Sequence, residues 1–245
     1  GKLAKTLIHP LCADKTGGLD QHESLPLCFV QSERLCSAPE RCRVMLMCNN
    51  STTDASMPLT ELHTPRLMLR HWHAADLADF ATLNDDEQVM RYFPGRLSRQ
   101  ESDALAGRIL AHIDQHGFGV WVVELRNQPG MIGILGLQRV LFDSTFTHSV
   151  EIGWRLLPAY WHQGLAFEAA QAALEFGFGQ LDLPQILAFT VPANQPSQAL
   201  MQRLGMQRDP AEDFLHPLLP KQHPLRPHVL YRLSKARWLT LNGAQ

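Results

Sequence analysis

The stretch "VEIGWRLLPAYWHQGLAFEAAQAALEFGF", Val150 to Phe178, decides how this chain folds. It begins with the pattern of a strand, breaks at Pro158, tightens at Gly164 and continues with the composition of a helix. Gly164 lets the backbone turn with no Cβ in the path of an incoming group. Leu165 and Ala166 then open a helix whose first N–H groups have no partner within it. Such a start attracts a phosphate or diphosphate, helped by the helix dipole. Ala166, Ala169, Ala170, Ala172 and Ala173 let that helix sit close to a sheet. An ordinary strand–turn–helix with an alanine face fits the same letters, so on this segment alone both readings stand.

On the N-terminal side, "RLMLRHW" (66–72) alternates like a strand, and "AADLADFATLND" has helical spacing at Leu77, Phe80 and Leu83. "RLSRQESDALAGRILAHIDQHG" offers Ser98 as N-cap with Glu101 three residues on, a capping box, and closes at Gly117. Leu105, Ile109, Leu110 and Ile113 are its expected buried stripe. "GVWVVELR" and "MIGILGLQRV" are strand-like runs joined by "NQPG" (127–130), a hairpin signal. Beyond the deciding stretch come a strand in "PQILAFTV", a helix in "PSQALMQRLG" ending at Gly205, and a last strand in "HVLYRLS" (228–234). Strands and helices that alternate around one β-turn-α unit predict a mixed α/β, α+β fold.

Composition narrows the function. An apolar share of 45% with 19% charged residues fits a globular chain rather than a disordered one. A net charge of −2 gives no electrostatic reason to expect a nucleic-acid or anionic-membrane partner. Runs such as "MIGILGL" fall short of the ~18–20 apolar residues of a membrane span. Cys12, Cys28, Cys36, Cys42 and Cys48 show no CxxC and no zinc spacing, so reduced thiols are expected. All five precede residue 50, and "NNSTTDAS" (49–56) has the look of a linker before Met57. Residues 1–56 are therefore expected to be an N-terminal extension, either upstream of a natural start at Met57 or an arm that packs on the domain. Residues 57–245 are expected to be the domain proper. With no basic–apolar–small leader pattern, the default location is cytoplasmic.

"YWHQGLA" resembles motif A of the GNAT N-acetyltransferase superfamily, whose Q/R-x-x-G-x-G/A loop holds the pyrophosphate of acetyl-CoA. The six positions are Trp161, His162, Gln163, Gly164, Leu165 and Ala166, and Trp161 departs from the usual Gln or Arg. "EIGW" before it, "VPANQPSQALMQRLGM" after it and "TPRLMLRHWHAADL" upstream are similar to the ribosomal-protein-alanine N-acetyltransferase branch. The likeness runs in order over roughly 60–235 and covers none of 1–56. It implies a mostly antiparallel sheet splayed between two central strands, with the pantetheine arm in the gap. It implies acetyl-CoA as co-substrate and no metal, with an amine acceptor: a protein or peptide N-terminus, or a small amine. A monomer or homodimer is expected.

Acetyl transfer from a thioester to an amine needs a neutral amine, a donor for the developing oxyanion and a proton for the thiolate. By resemblance, the backbone groups of Ile152, Trp154 and Leu156 line the splay. His162, Gln163, Gly164, Leu165 and Ala166 hold the diphosphate, and Asn194 and Ser197 meet the pantetheine. Glu151 is the candidate base, and Ser197 the candidate acid. Glu151 is equally a structural carboxylate for Arg155 or Arg139, and Ser197 equally a helix-start residue. Superfamily members commonly carry a Tyr acid four residues after the Ser position, where this chain has Met201. That departure keeps a non-catalytic acyl-CoA-binding module open as the alternative.

"RYFP" (91–94), "HGFGVWVVE" (116–124) and "DFLHPLLPKQHPLRPHVLYRL" (213–233) are expected to wall the acceptor pocket. Tyr92, Phe93 and Trp121 are the candidate substrate contacts there, with plain core packing as the other reading. Leu215 and Lys221–Gln222 differ from the acidic and Glu–Gly residues that the related branch carries. His216, His223 and His228 are separated by prolines and are expected to be solvated or substrate-facing rather than ligands of a metal. There is no HExxH and no G-x-S-x-G elbow.

Overall fold

The computed structural model describes residues 60–243. The expected extension over 1–56, its five cysteines and Met57 lie outside the described residues. In chain order the elements are β1 (Leu62–His63), β2 (Leu67–Arg70), α1 (Asp76–Asp85), α2 (Arg99–His116), β3 (Val120–Leu125), β4 (Gln128–Arg139) and β5 (Val150–Leu156). Then follow α3 (Leu165–Gly179), β6 (Gln185–Thr190), α4 (Gln195–Arg203), β7 (Gln207–Arg208), β8 (Phe214–Leu215), β9 (Pro227–Ser234) and α5 (Lys235–Asn242). Single 3-10 turns at Val89–Tyr92 and Pro158–Tyr160 fall between them.

Among the described residues the strands make one sheet in the order β1-β2-β3-β4-β5-β6-β9-β7, with β8 added beside β9. Every neighbouring pair is antiparallel except β5 with β6. That parallel pair follows from the α3 crossover between the two strands. Its ladder holds a single position, Glu151 opposite Leu187, so the strands part beyond it. The α+β fold and the central splay are as expected.

Helices cover both faces of the sheet. On one face α3 packs through Ala169, Ala170, Ala173 and Leu174, all fully buried. A Cβ on Gly177 would stand 2.7 Å from Ile186 Cδ1 and 3.0 Å from Leu137 Cδ1, so α3 lies close over β4 and β6 and bridges the gap beside β5. On the other face α1 and α2 bury Phe80, Leu83, Leu105 and Ile109. Each apolar side chain withdrawn from water contributes roughly 1.5–3 kcal/mol before the entropy of ordering is subtracted. The capping box on α2 is formed, with Glu101 N–H donating to Ser98 Oγ and Ser98 N–H to Glu101 Oε2, and Gly117 closes the helix in the left-handed region (φ 71°).

Two sequence expectations are corrected. Leu110 is exposed, and Ser102, Ala106 and His112 join Leu105, Ile109 and Ile113 on the buried face. At about 100° per residue the positions of Ser102, Leu105, Ala106, Ile109, His112 and Ile113 share one arc, and Leu110 falls past its edge beyond Ala106 and Ile113. The β3–β4 hairpin turns at Arg126–Asn127 rather than over 127–130, because Leu125 pairs with Gln128. Pro129 and Gly130 are taken up by the shift from Leu125↔Gln128 to Glu124↔Met131, which places the extra residues in β4 as a bulge.

Candidate active site

The free edge of β5 is fixed by strand alternation. Leu157 N–H donates to Ile132 C=O in β4 at 2.9 Å. Counting back by twos, Arg155, Gly153 and Glu151 also direct their backbone groups at β4, opposite Ile134, Gly136 and Gln138. Ile152, Trp154 and Leu156 therefore direct theirs toward β6, which pairs only at Leu187. The Leu156 carbonyl accepts a 2.7 Å bond from Trp161 Nε1. The Glu151–Leu187 pair engages the Ile152 N–H with the Leu187 carbonyl, so the Trp154 amide is the first to face the gap between the parted strands. The side chains of Ile152 and Trp154 lie on the α3 face, and Glu151 and Arg155 point to the α1–α2 face.

At the end of β5 the chain passes through Pro158–Tyr160 into the turn that starts α3. His162 (φ 58°) and Gly164 (φ 75°) both lie in the left-handed region. No side chain caps α3. Its first intrahelical bond runs from Glu168 N–H to Gly164 C=O at 3.0 Å. The amides of Leu165, Ala166 and Phe167 thus precede the helical ladder and form the positive end of its dipole. Capping side chains are used at α2, α4 and α5 in the same chain, so this start differs from theirs.

Glu151 is 1% exposed and stands opposite Gln138, itself buried. Around them lies a polar layer facing α1 and α2. Arg155 donates to Asn84 Oδ1, and Asn84 Nδ2 to Ser102 Oγ at 2.8 Å. The Arg155 guanidinium lies over the rings of Phe80 and Phe93, at 5.5 and 5.3 Å. Arg139 Nη1 donates to His148 C=O, and Arg139 N–H to His112 Nε2 at 3.1 Å. Burial, with the neighbouring charges of His116 and Arg139, lowers the His112 pKa to about 4. That imidazole is neutral and carries its proton on Nδ1.

Asn194 and Ser197 meet at the start of α4. Asn194 Oδ1 accepts the Ser197 N–H at 3.3 Å, and Asn194 Nδ2 donates to Thr190 Oγ1 at 2.9 Å. Asn194 is the helix N-cap, and Ser197 occupies the third helical position. Met201 is buried in the core.

Of the expected acceptor contacts, Tyr92 and Phe93 are both partly buried, and Phe93 lies against Arg155 on the Glu151 face. Trp121 is placed elsewhere: fully buried, edge-on to Phe176 of α3 at 5.4 Å, with Nε1 donating to Thr60 C=O at 2.8 Å. It pairs with Leu135, whose partner in β5 is Trp154, so strand alternation turns it toward α3 and away from Glu151. The expectation of solvated histidines fails at His216 and His228, which are 0% and 6% exposed. They sit in a box of Phe142, Phe189 and Phe214, and burial lowers their pKa values to about 3 and 4. Leu215, by contrast, is exposed.

Sequence reasoning passed over the residues that brace the site from a distance. Arg66 and Thr64 hold Glu168 in the first turn of α3. Arg70 bridges Asp76 and Glu124, with Nη1 and Nη2 each 2.8 Å from Asp76 and Nε 2.7 Å from Glu124. The Arg-x-x-x-Arg of "RLMLR" shows the two arginines but not the distant carboxylates that they meet.

The acetyltransferase (GNAT) domain family matches residues 66–207. The chain is 30% identical over 177 residues to the uncharacterized N-acetyltransferase YnaD of Bacillus subtilis, covering 71% of this chain and 97% of that one. It is 28% identical over 197 residues to the [ribosomal protein uS5]-alanine N-acetyltransferase of Escherichia coli, covering 75% and 95%. The crystal structure of a GNAT-family acetyltransferase from Bacillus anthracis superposes with a TM-score of 0.60 at 25% identity, over 72% of this chain and 99% of that one.

Proposed function

The chain belongs to the GNAT acetyltransferase family, and from that premise we propose that it moves an acetyl group from acetyl-CoA to a primary amine by direct attack on the thioester. The observation that carries this reading is the single-position pairing of β5 with β6 beside an uncapped helix start. The gap offers strand-like backbone partners to a pantetheine arm, and the amides from His162 to Ala166 offer donors to a diphosphate. Both are backbone features, which suits a co-substrate whose recognition must leave the acetyl carbon open to attack.

In this reading Glu151 takes the proton of the attacking amine, directly or through one water, as the new C–N bond forms. An amide on the β5 edge, from Trp154 or Leu156, donates to the thioester oxygen as it gains charge. The C–S bond then breaks, and the departing thiolate takes a proton from Ser197 or from water. Met201 supplies none. Asn194 acts by capping α4 and so placing Ser197. Tyr92 and Phe93 line the amine side. The acceptor is a protein or peptide N-terminus or a small amine, in line with the relative that acetylates ribosomal protein uS5. No helix among the described residues is long and apolar enough to cross a membrane, and we place the reaction in the cytoplasm.

Acceptor-dependent release of free thiol from acetyl-CoA, measured across peptides with free N-termini and small amines, tests this. Turnover with at least one primary amine, abolished when that amine is pre-acetylated, is expected. Tight CoA binding with no acceptor-dependent release would favour a binding module.

A further inference from the structure

Arg66 lies just before β2, 97 residues from the Gln163 carbonyl that accepts its Nη1 at 2.9 Å. Its Nε donates to Glu168 Oε2 at 2.6 Å and its backbone N–H to Glu168 Oε1 at 2.9 Å. Thr64 Oγ1 adds a 2.6 Å bond to Oε1. Both carboxylate oxygens and the carbonyl before Gly164 are thus gripped by one short segment. Burial alone would raise the Glu168 pKa, but the Thr64 and Arg66 donors outweigh it and lower it, so the carboxylate is charged. An unmatched carboxylate in the first turn of α3 would repel a phosphate arriving at that helix start, and the Arg66 cation offsets it.

The bond to Gln163 has a second effect. A trans peptide directs its C=O and N–H to opposite sides. With the Gln163 oxygen drawn toward Arg66, the Gly164 N–H is turned away from it, outward from the brace. The Arg66 side chain is 48% exposed, and ion pairs of that kind add little to global stability. Its work is local.

We propose that Arg66 is a positioning residue for the donor: its fork, joined to Gln163 C=O and Glu168, holds the 162–166 turn in the shape that receives the diphosphate. This rests on the reading that acetyl-CoA binds at that turn. The role is confined to the nucleotide end of the donor and leaves the acetyl end, Glu151 and the amine side untouched.

The test compares Arg66→Gln and Arg66→Lys with wild type, using acetyl-CoA and S-acetylpantetheine, which lacks the diphosphate. The expected result is a rise of about tenfold in KM for acetyl-CoA, with kcat within about twofold and kcat/KM for S-acetylpantetheine unchanged. Arg66→Lys keeps the charge without the fork and should keep the defect. Equal losses with both donors, or full recovery in Arg66→Lys, would overturn the role. Calorimetric titration of CoA separates the two claims. If Arg66→Gln binds CoA as tightly as wild type, the Arg66 role is wrong whatever the turnover. If wild type binds no CoA, the acetyl-transfer reading fails first and the Arg66 role falls with it. Melting temperatures of both variants close to wild type are expected, because the pair is half-exposed.

Discussion

Glu151 and Leu187 form the only register pair between β5 and β6. The same residue that ends the contact of the two strands points its carboxylate to the α1–α2 face, while Ile152 N–H meets the Leu187 carbonyl in that pair and Trp154 turns its amide into the gap. The candidate base and the first backbone donor in the gap therefore lie three residues apart on one strand, one on its α1–α2 face and the other on its open edge. Glu151→Gln keeps the shape and removes the base. It should lower kcat by about 10²–10⁴-fold with CoA affinity unchanged, measured by steady-state kinetics and titration. An undiminished kcat would make Glu151 structural.

Gly164 holds a left-handed turn that a β-branched side chain resists. Gly164→Val should weaken CoA binding by about tenfold or more, since moving a non-glycine residue into that conformation costs roughly 1–2 kcal/mol. Calorimetry reads the affinity, and circular dichroism should show the sheet and helices retained.

Arg70, Asp76 and Glu124 form a buried charge group, with the Arg70 and Asp76 side chains 7% and 5% exposed. Burial pushes the Asp76 pKa up, but the Arg70 and His73 donors more than reverse that and lower it. Asp76→Ala leaves the Arg70 cation short of its bidentate partner and should destabilise the fold by about 3–5 kcal/mol in urea unfolding. A loss below 1 kcal/mol would mean that water or Glu124 replaces it.

Three buried histidines set an acid limit. His112, His216 and His228 have folded pKa values of about 4, 3 and 4, below the unfolded value of about 6.5. Their contribution to stability is complete above pH 6.5 and is lost as pH falls toward the folded values, because the unfolded chain binds protons that the folded one refuses. Near pH 5, unfolding should take up about three protons from these residues. The melting temperature should fall between pH 6.5 and 4.5, and His216→Leu should make that fall shallower. A melting temperature flat across this range would contradict the assignment.

The parts of this molecule that were legible in advance are governed by short-range rules. The Ser98–Glu101 capping box, the Gly117 stop and the strand–Gly164–helix unit each depend on residues within a few positions of one another. The hairpin was displaced because Pro129 and Gly130, strong turn formers, are absorbed by a bulge that only the partner strand reveals. Trp121 and the His216–His228 pair went to the core because which face a strand residue takes depends on register with distant strands. The braces were invisible for the same reason: Arg70 meets Glu124 across 54 positions, and Arg66 meets Glu168 across 102. No local pattern announces such pairs.

Amide hydrogen exchange with and without CoA tests the central claim most directly, since that claim places the ligand on backbone N–H groups. Slower exchange on CoA addition is predicted in peptides covering 152–156 and 162–168, with β2, β3 and α2 unchanged. Bound CoA that leaves both of those segments unprotected would contradict the account.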